Sequence, residues 1–416
     1  MSTVAIALES SNDEIGGMEG VKSRRWAGPQ EGRGDERPFG FVACVCKTRP
    51  IQSMQSKRAS LNQHHFGAPS VMSTINVLTK EVAEEDDPFY LNEFTAIDDD
   101  AAECLSEQCS DLQLNGLTFL SDAAAESLSK HLEYLRLNGL TSLSDRAARS
   151  LAKYRGDLCL DGLTDLSDDA AISFGKQCCN VSLCGLASLS DVAADSLSKH
   201  RGGLALNGLE HLSDVAAEKL SKMEGVLELD GLSDLSDAAS ASLSKHREYL
   251  GLNGLAVLSD SSAASLSLHD GRLSLNGLTN LSEAAASSLS KHKGDLSLSG
   301  LTRLSDTTAE CLSRNQGDLW LCGIARISDA AAASLCKHHG NLGLYGLTEI
   351  SDTAAQHLSK HSGRLSLYGL KFLSAASAQH LQSNAAISIN SSVLPDFCSM
   401  EEIVQYFVEV ELPPYN

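Results

Sequence analysis

Leucines recur along most of this chain with a fixed period of 23 residues, without an insertion or deletion from Asp111 to about Ile389. In each period a Leu-x-Leu alternation precedes a glycine and a third leucine, and a Ser-Asp pair then opens a run of alanines that ends in leucine. The consensus is LxLxGLxxLSDxAAxxLSKHxGx. A fixed period of this length predicts a solenoid. Its register is marked by Gly116, Gly139, Gly162, Gly185, Gly208, Gly231, Gly254, Gly277, Gly300, Gly323, Gly346 and Gly369.

Each repeat predicts one strand, one turn and one short helix. The Leu-x-Leu alternation is typical of a strand whose leucines face inward and whose intervening residue faces outward. The Ser-Asp pair indicates a helix start, and in the first full repeat the helix buries Ala124, Ala125 and Leu128. A second glycine, such as Gly156, predicts the turn from helix to next strand. Because one repeat cannot bury its own leucines, the repeats must stack.

This pattern resembles that of leucine-rich repeat proteins, and within them the cysteine-containing subclass, LxLxxCxxITDxGLxxLA. The stretch from Leu114 to Ser129 reads LNGLTFLSDAAAESLS in the same register. The resemblance covers about residues 89 to 391 and implies an α/β solenoid of about twelve strand-turn-helix repeats, without catalytic residues common to the family. Two features differ. Leu117 occupies the position of the family's Cys or Asn, which hydrogen-bonds neighbouring loops, and the link from helix to strand is three residues shorter.

Composition and register divide the chain into four parts. Residues 1–86 are rich in Gly, Ser, Pro, Arg and Glu, lack a sustained period and are predicted to be a disordered tail, with Met72 as an alternative start. Residues 87–110 are predicted to form a degenerate capping repeat, and 111–391 the solenoid proper. Residues 392–416 are predicted to be a C-terminal cap, whose short helix has on one face Met400, Ile403, Val404 and Phe407.

Charge and cysteine usage restrict the partners and the compartment. A formal net charge of −21 disfavours nucleic acid and anionic membranes and favours a basic protein surface or a neutral ligand. The twelve cysteines do not follow the repeat, which favours reduced thiols in a cytoplasmic protein. Neither an export signal nor an apolar stretch long enough to cross a bilayer is found.

The sequence offers no enzyme motif and no cofactor site. GxSxG, HExxH, GxxxxGK[ST] and GxGxxG before a helix are all missing. A histidine column, which includes His246, His269 and His292, could suggest metal binding, but an exposed position at each helix end explains it more simply. The aspartate column that begins at Asp122 could suggest calcium, and helix N-capping again explains it better.

Candidate binding residues lie where the repeats differ on the strand face. Towards the C-terminal end Trp320, Tyr345 and Tyr368 fall in three successive repeats, with Arg364 and Asp318 beside them. Exposed aromatic groups are typical anchors for a partner. Small or polar residues fill most other outward positions, including an amide stripe of Asn115, Asn138, Asn207, Asn253 and Asn276.

These features predict a non-enzymatic protein-interaction scaffold that binds a macromolecular partner on the concave strand face. Two other hypotheses stay open. The amide stripe and the aromatic end could bind a small ligand or a saccharide, so that the protein acts as a sensor. The repeats could also form a purely structural, self-associating protein.

Overall fold

A computed structural model describes residues 77–78, 80, 91–108 and 110–389. The predicted C-terminal cap and most of the predicted tail therefore lie outside the described residues. Among the described residues, no helix is long and apolar enough to span a bilayer. The strands are β1 Val77–Leu78, β2 Ala96–Ile97, β3 Leu112–Gln113, β4 Leu135–Arg136, β5 Leu158–Cys159, β6 Val181–Ser182, β7 Leu204–Ala205, β8 Leu227–Glu228, β9 Leu250–Gly251, β10 Leu273–Ser274, β11 Leu296–Ser297, β12 Leu319–Trp320, β13 Leu342–Gly343, β14 Leu365–Leu367 and β15 Ile387–Ile389.

Helices alternate with these strands, and most have seven residues. The helices are α1 Asp99–Ser106, α2 Asp122–Leu128, α3 Asp145–Leu151, α4 Asp168–Phe174, α5 Asp191–Leu197, α6 Asp214–Leu220, α7 Asp237–Leu243, α8 Asp260–Leu266, α9 Glu283–Leu289, α10 Asp306–Leu312, α11 Asp329–Leu335, α12 Asp352–Leu358 and α13 Ala375–Gln382.

Strands β3 to β15 form one parallel sheet in sequential order. Neighbouring strands are offset by one repeat, so that Leu112 lies opposite Leu135. The last step is one residue shorter, with Leu365 opposite Ile387. This topology confirms the predicted leucine-rich repeat solenoid. A separate pair, β1 with β2, is also parallel, and it places an ordered strand at Val77–Leu78, within the stretch predicted to be a disordered tail.

The leucine columns form one continuous core along the solenoid. In the first full repeat Leu112, Leu114 and Leu117 come from the strand side, and Ala124 and Leu128 come from the helix side; all are buried. Small alanines on the inner helix face allow each helix to pack close to the strand layer. Since each repeat buries its leucines against its neighbours, the stack is the unit of stability.

Each helix from α2 to α13 is capped by its serine, and the aspartate that follows has a different role. The Ser144 hydroxyl accepts a hydrogen bond from the backbone N–H of Ala147 at 3.0 Å and donates one to Asp122 of the preceding repeat at 2.5 Å. The expectation that the aspartate is the capping residue is therefore wrong, because it is the first helical residue. The same Ser-to-Asp bond recurs along the solenoid, for example from Ser259 to Asp237 at 2.9 Å.

The second glycine column reflects close packing more than turn conformation. Among the described residues only Gly225 has a positive φ, of 135°. At Gly156, by contrast, an added Cβ would lie 2.1 Å from the carbonyl oxygen of Glu133 in the preceding repeat. The two backbones approach too closely at Gly156 for a Cβ, although Glu133 carries a side chain at the same place in the preceding repeat.

The histidine column is buried, contrary to the expectation of exposed helix ends. His246, His269 and His292 are 0–1% exposed, and their rings stack with centroids 6.0 and 5.9 Å apart. The imidazoles pack against backbone of the preceding repeat, as His269 does with its Nε2 2.9 Å from the carbonyl oxygen of Glu248. Burial, with a smaller contribution from the neighbouring His269, lowers the pKa of His246 to about 4. The neutral imidazole is thus a core element.

Candidate functional site

The predicted amide stripe is an internal hydrogen-bond ladder. The Asn115 side-chain oxygen accepts from the backbone N–H of Asn138 at 3.2 Å, and the Asn276 oxygen accepts from Ser299 at 2.8 Å. Aspartate serves equally well, since Asp230 accepts from the N–H of Asn253 at 3.0 Å. These side chains bind the next repeat, which their outward direction had not suggested. We refer to this column as the concave ladder.

A second row of the same kind lies just before the strands and includes the candidate Asp318. Its two carboxylate oxygens accept hydrogen bonds from the backbone and side-chain nitrogens of Asn341, at 2.8 and 2.9 Å. The Asn341 oxygen accepts from the backbone N–H of Arg364 at 3.1 Å. Asp318 therefore has a structural role in this row, whereas the exposed Arg364 side chain extends from its end.

The three aromatic candidates form a continuous surface, which we call the aromatic strip: Trp320, Tyr345 and Tyr368. The tyrosine rings stack with centroids 5.7 Å apart and an interplanar angle of 10°. Trp320 approaches Tyr345 across Gly343, where an added Cβ would lie 2.7 Å from Trp320 Cδ1 and 3.3 Å from Tyr345 Cε2. The strip is partly open to solvent, and Tyr368 is 47% exposed.

A cation covers the first ring of the strip. The Arg272 guanidinium carbon lies 4.3 Å from the centroid of the Trp320 ring, within the range of a cation–π interaction. Arg272 also pairs with Asp295 at 3.9 Å, although its side chain is only 24% exposed. Arg272 and Gly343 are the site residues that sequence reasoning missed. The small side chains of Ser274 and Ser297, which lie between Arg272 and Trp320, are the feature of the sequence from which this contact could be predicted.

The strip interrupts the concave ladder. Tyr345 and Tyr368 occupy the column of Asn115, and the preceding member, Cys322, offers a thiol. The thiol donates a long hydrogen bond to the carbonyl oxygen of Gly343 at 4.0 Å, and burial raises its pKa. The phenol oxygen of Tyr345, in contrast, lies at the far end of a ring and cannot take the place of an amide oxygen beside the backbone. Aromatic surface has thus replaced structural hydrogen bonding at this end.

Neither a protein-family model nor a curated protein matches this sequence. Among solved structures, an internalin from Listeria monocytogenes str. 4b F2365 is similar over 77% of this chain and 93% of its own length, at 18% identity and a TM-score of 0.39. The parallel register and the leucine core described above decide the fold of this chain. It is a leucine-rich repeat solenoid.

Two further features of this leucine-rich repeat solenoid concern the chemistry of its side chains. Within the described ranges, no group of three or more His, Cys, Asp or Glu residues is arranged to hold a metal ion. A second concave cluster, near the other end, has the Tyr134 hydroxyl 2.8 Å from the Cys159 sulfur and Arg136 4.5 Å from the Tyr134 ring centroid. Burial raises the pKa of Cys159 to about 12, so this thiol is a poor nucleophile.

Proposed function

We propose that this protein is a non-enzymatic scaffold that binds a protein partner on its concave face, centred on the aromatic strip. The observation that carries the proposal is the replacement of ladder amides by Tyr345 and Tyr368. A residue that departs from a local structural pattern without an evident structural gain is often retained for function. Three adjacent rings that remain partly exposed supply the rigid apolar area typical of binding hot spots.

Charge around the strip supports a partner with both polar and apolar groups. Arg272 covers Trp320, and the exposed Arg364 lies at the end of the row that contains Asp318. A polar rim around aromatic anchors is the usual arrangement of a protein interface. The free, scattered cysteines support a reducing compartment, and we propose a cytoplasmic location on that basis.

The saccharide-sensor hypothesis has weaker support than the sequence suggested. It relied on the amide stripe as a set of exposed hydrogen-bonding groups. In the concave ladder, amide oxygens such as those of Asn115 and Asn276 instead accept hydrogen bonds from neighbouring backbone. The aromatic strip remains available to a sugar, but fewer polar groups are free to orient it.

Affinity capture from native lysate with the full chain tests the scaffold proposal. The test variant combines Trp320→Ala, Tyr345→Ala and Tyr368→Ala, and the control is Phe372→Ala, because Phe372 is 77% exposed near the same end but lies outside the strip. We expect a protein captured in defined stoichiometry by the wild type and the control and lost from the triple variant of equal thermal stability. If the wild type, the control and the triple variant captured the same proteins, the aromatic strip would be excluded as the binding site.

A further inference from the structure

The two edges of the solenoid carry opposite charge. Helices α2 to α13 begin at one edge and end at the other, about 10 Å away for seven residues at 1.5 Å each. Eleven of these twelve helices begin with an acidic residue, and Ala375 is the exception. We call this row the acidic edge: Asp122, Asp145, Asp168, Asp191, Asp214, Asp237, Asp260, Glu283, Asp306, Asp329 and Asp352.

The opposite row, two residues beyond each helix end, is cationic in ten repeats. We call it the basic edge: Lys130, Lys153, Lys176, Lys199, Lys222, Lys245, Lys291, Arg314, Lys337 and Lys360. All ten side chains are exposed. Four further cations lie two residues on, in every second repeat, at Arg155, Arg201, Arg247 and Lys293.

The helix dipole explains only part of the basic edge. A cation near a helix C-terminus is favourable by a few tenths of a kcal/mol to about 1 kcal/mol, and the effect fades within one turn. Arg155, Arg201, Arg247 and Lys293 lie beyond that range. Among the described residues, the acidic members of these two columns are Glu107, Glu224 and Asp270, and Glu133 and Glu248 lie one residue further on, so cations predominate along this edge of a chain of net charge −21.

Most cations of the basic edge are not neutralised within the repeat. Three pair with a carboxylate four residues earlier, as Lys199 does with Asp195 at 3.1 Å and Arg314 with Glu310 at 2.6 Å. In the described part of the chain no carboxylate lies within ion-pair distance of the other seven, which are Lys130, Lys153, Lys176, Lys245, Lys291, Lys337 and Lys360.

The spacing of the charges indicates which occupant fits. Both rows advance by one charge per repeat. Close to the basic edge, the distance between successive repeats is 5.9 to 6.3 Å, measured between the centroids of the stacked rings in the histidine column. A second copy of this chain has an acidic edge that also advances once per repeat, so opposite charges meet at most repeats when the two stacks are aligned. We propose that the basic edge binds the acidic edge of a second copy, with the two solenoids side by side and their repeats aligned.

Such an interface pairs two different surfaces of identical chains. Each bound copy keeps one edge available, so the assembly extends as an open ribbon. Each exposed ion pair contributes about 0 to 1 kcal/mol, and only several aligned repeats together overcome the mutual repulsion of two acidic chains. Because salt screens exposed charges beyond about 8 Å at physiological ionic strength, the association weakens as salt is added.

Sedimentation velocity on the full chain, over a hundredfold range of concentration, tests this interface. The basic-edge variant carries Lys176→Gln, Lys199→Gln, Lys222→Gln and Lys245→Gln. Its charge-matched control removes four cations that lie at or just before the helix starts of the acidic edge, by Arg146→Gln, Arg303→Gln, Arg326→Gln and Lys371→Gln. We expect self-association of the wild type at low salt, a dissociation constant at least about tenfold higher for the basic-edge variant, and no weakening in the control.

A mixing experiment then identifies both edges. The acidic-edge variant carries Asp168→Asn, Asp191→Asn, Asp214→Asn and Asp237→Asn, since the asparagine oxygen can still accept the serine hydroxyl of the next repeat. Each edge variant alone should associate weakly, whereas an equimolar mixture should form 1:1 complexes through the intact basic edge of one and the intact acidic edge of the other. A mixture that associates no better than its components overturns the proposal.

Two other outcomes also overturn it. One is a wild-type chain that stays monomeric at every concentration at low salt. The other is a wild-type chain that stays monomeric but binds a linear polyanion such as inorganic polyphosphate, with binding lost in the basic-edge variant; the edge would then serve a different partner. The triple variant of the aromatic strip should self-associate like the wild type, which separates this interface from the proposed scaffold function.

Discussion

The side-chain oxygen of Asn253 lies 2.8 Å from the backbone nitrogen of Asn276 and accepts its hydrogen bond. The same oxygen also accepts the Ser274 hydroxyl at 2.7 Å. One amide thus joins two points of the following repeat. Since the relationship recurs along the concave ladder, the surface that faces a partner is also part of what holds the repeats together.

Removing that amide should weaken the stack. In Asn253→Ala the N–H of Asn276 and the Ser274 hydroxyl lose their acceptor, and we expect the free energy of unfolding to fall by about 1–3 kcal/mol. The urea midpoint measures this. Asn253→Asp is the matched control and should be close to wild type, because Asp161 and Asp230 fill the same column. An unchanged midpoint in Asn253→Ala would mean that the ladder contributes no stability.

At Tyr345, asparagine should separate stability from binding. Tyr345→Asn loses a ring stack worth about 0.5–1.5 kcal/mol but supplies an acceptor for the backbone N–H of Tyr368, worth about 1 kcal/mol. We expect its melting temperature to stay close to wild type and that of Tyr345→Ala to be lower, while both variants capture less partner. If Tyr345→Asn captured as much partner as the wild type, a binding role for this ring would be contradicted.

Acid should destabilise the solenoid through its buried histidines. Burial, with a smaller contribution from the neighbouring His269, lowers the folded-state pKa of His246 and of His292 to about 4. An unfolded imidazole titrates near pH 6.5, so between about pH 6.5 and 4 the unfolded chain binds more protons than the folded one. Stability from these groups is complete above about pH 6.5 and is lost as the pH falls towards 4, by on the order of 3 kcal/mol for each.

A triple substitution isolates that effect from the titration of carboxylates. Asparagine occurs naturally in this column at Asn315, where it donates to the carbonyl of His292 at 2.9 Å. His246→Asn, His269→Asn and His292→Asn together should therefore leave the fold intact and flatten the fall in urea midpoint between pH 7 and 4.5. If the urea midpoints of the triple variant and of the wild type fell by the same amount over this pH range, the stacked imidazoles would not be the cause of the acid sensitivity.

The first glycine column should not tolerate a side chain. At Gly139 an added Cβ would lie 2.3 Å from the carbonyl oxygen of Asn115 and 2.5 Å from that of Leu117, and neither backbone atom can move without displacing a repeat. Gly139→Ala should therefore lower the free energy of unfolding by about 3 kcal/mol, as severe overpacking does. Ser142→Ala, at an exposed position in the same turn, is the control and should leave the urea midpoint unchanged.

The sequence was sufficient for the solenoid because its period sets the register of every strand at once. It did not show the histidine burial, since a residue after Lys at a helix end looks exposed by local rules; the substitutes Tyr154 and Met223, both buried, were a sign of a core column. For the concave ladder, the alternation of residues along a strand predicts only the direction in which each side chain points. Whether Asn115 bridges to the next repeat depends on the strands lying about 4.8 Å apart.

The candidate site was predicted in part. The aromatic residues share neighbouring columns, and the period alone places Tyr345 beside Tyr368. Arg272 reaches Trp320 from two repeats away, and that contact depends on side-chain length and on the small serines between, which a repeat pattern does not encode. The sequence places Asp318 next to the strip, but its two hydrogen bonds to Asn341 depend on how neighbouring repeats stack.

The placement of the aromatic strip couples binding to local unfolding. In a linear stack each repeat is held by its neighbours, so opening spreads inward from an end. The repeats that carry Tyr345 and Tyr368 lie near the C-terminal end of the described sheet and have phenols where Asn253 has a bridging amide. Their amide protons should exchange sooner than those of the middle repeats, and a partner seated on the strip would slow that exchange most at the end of the stack.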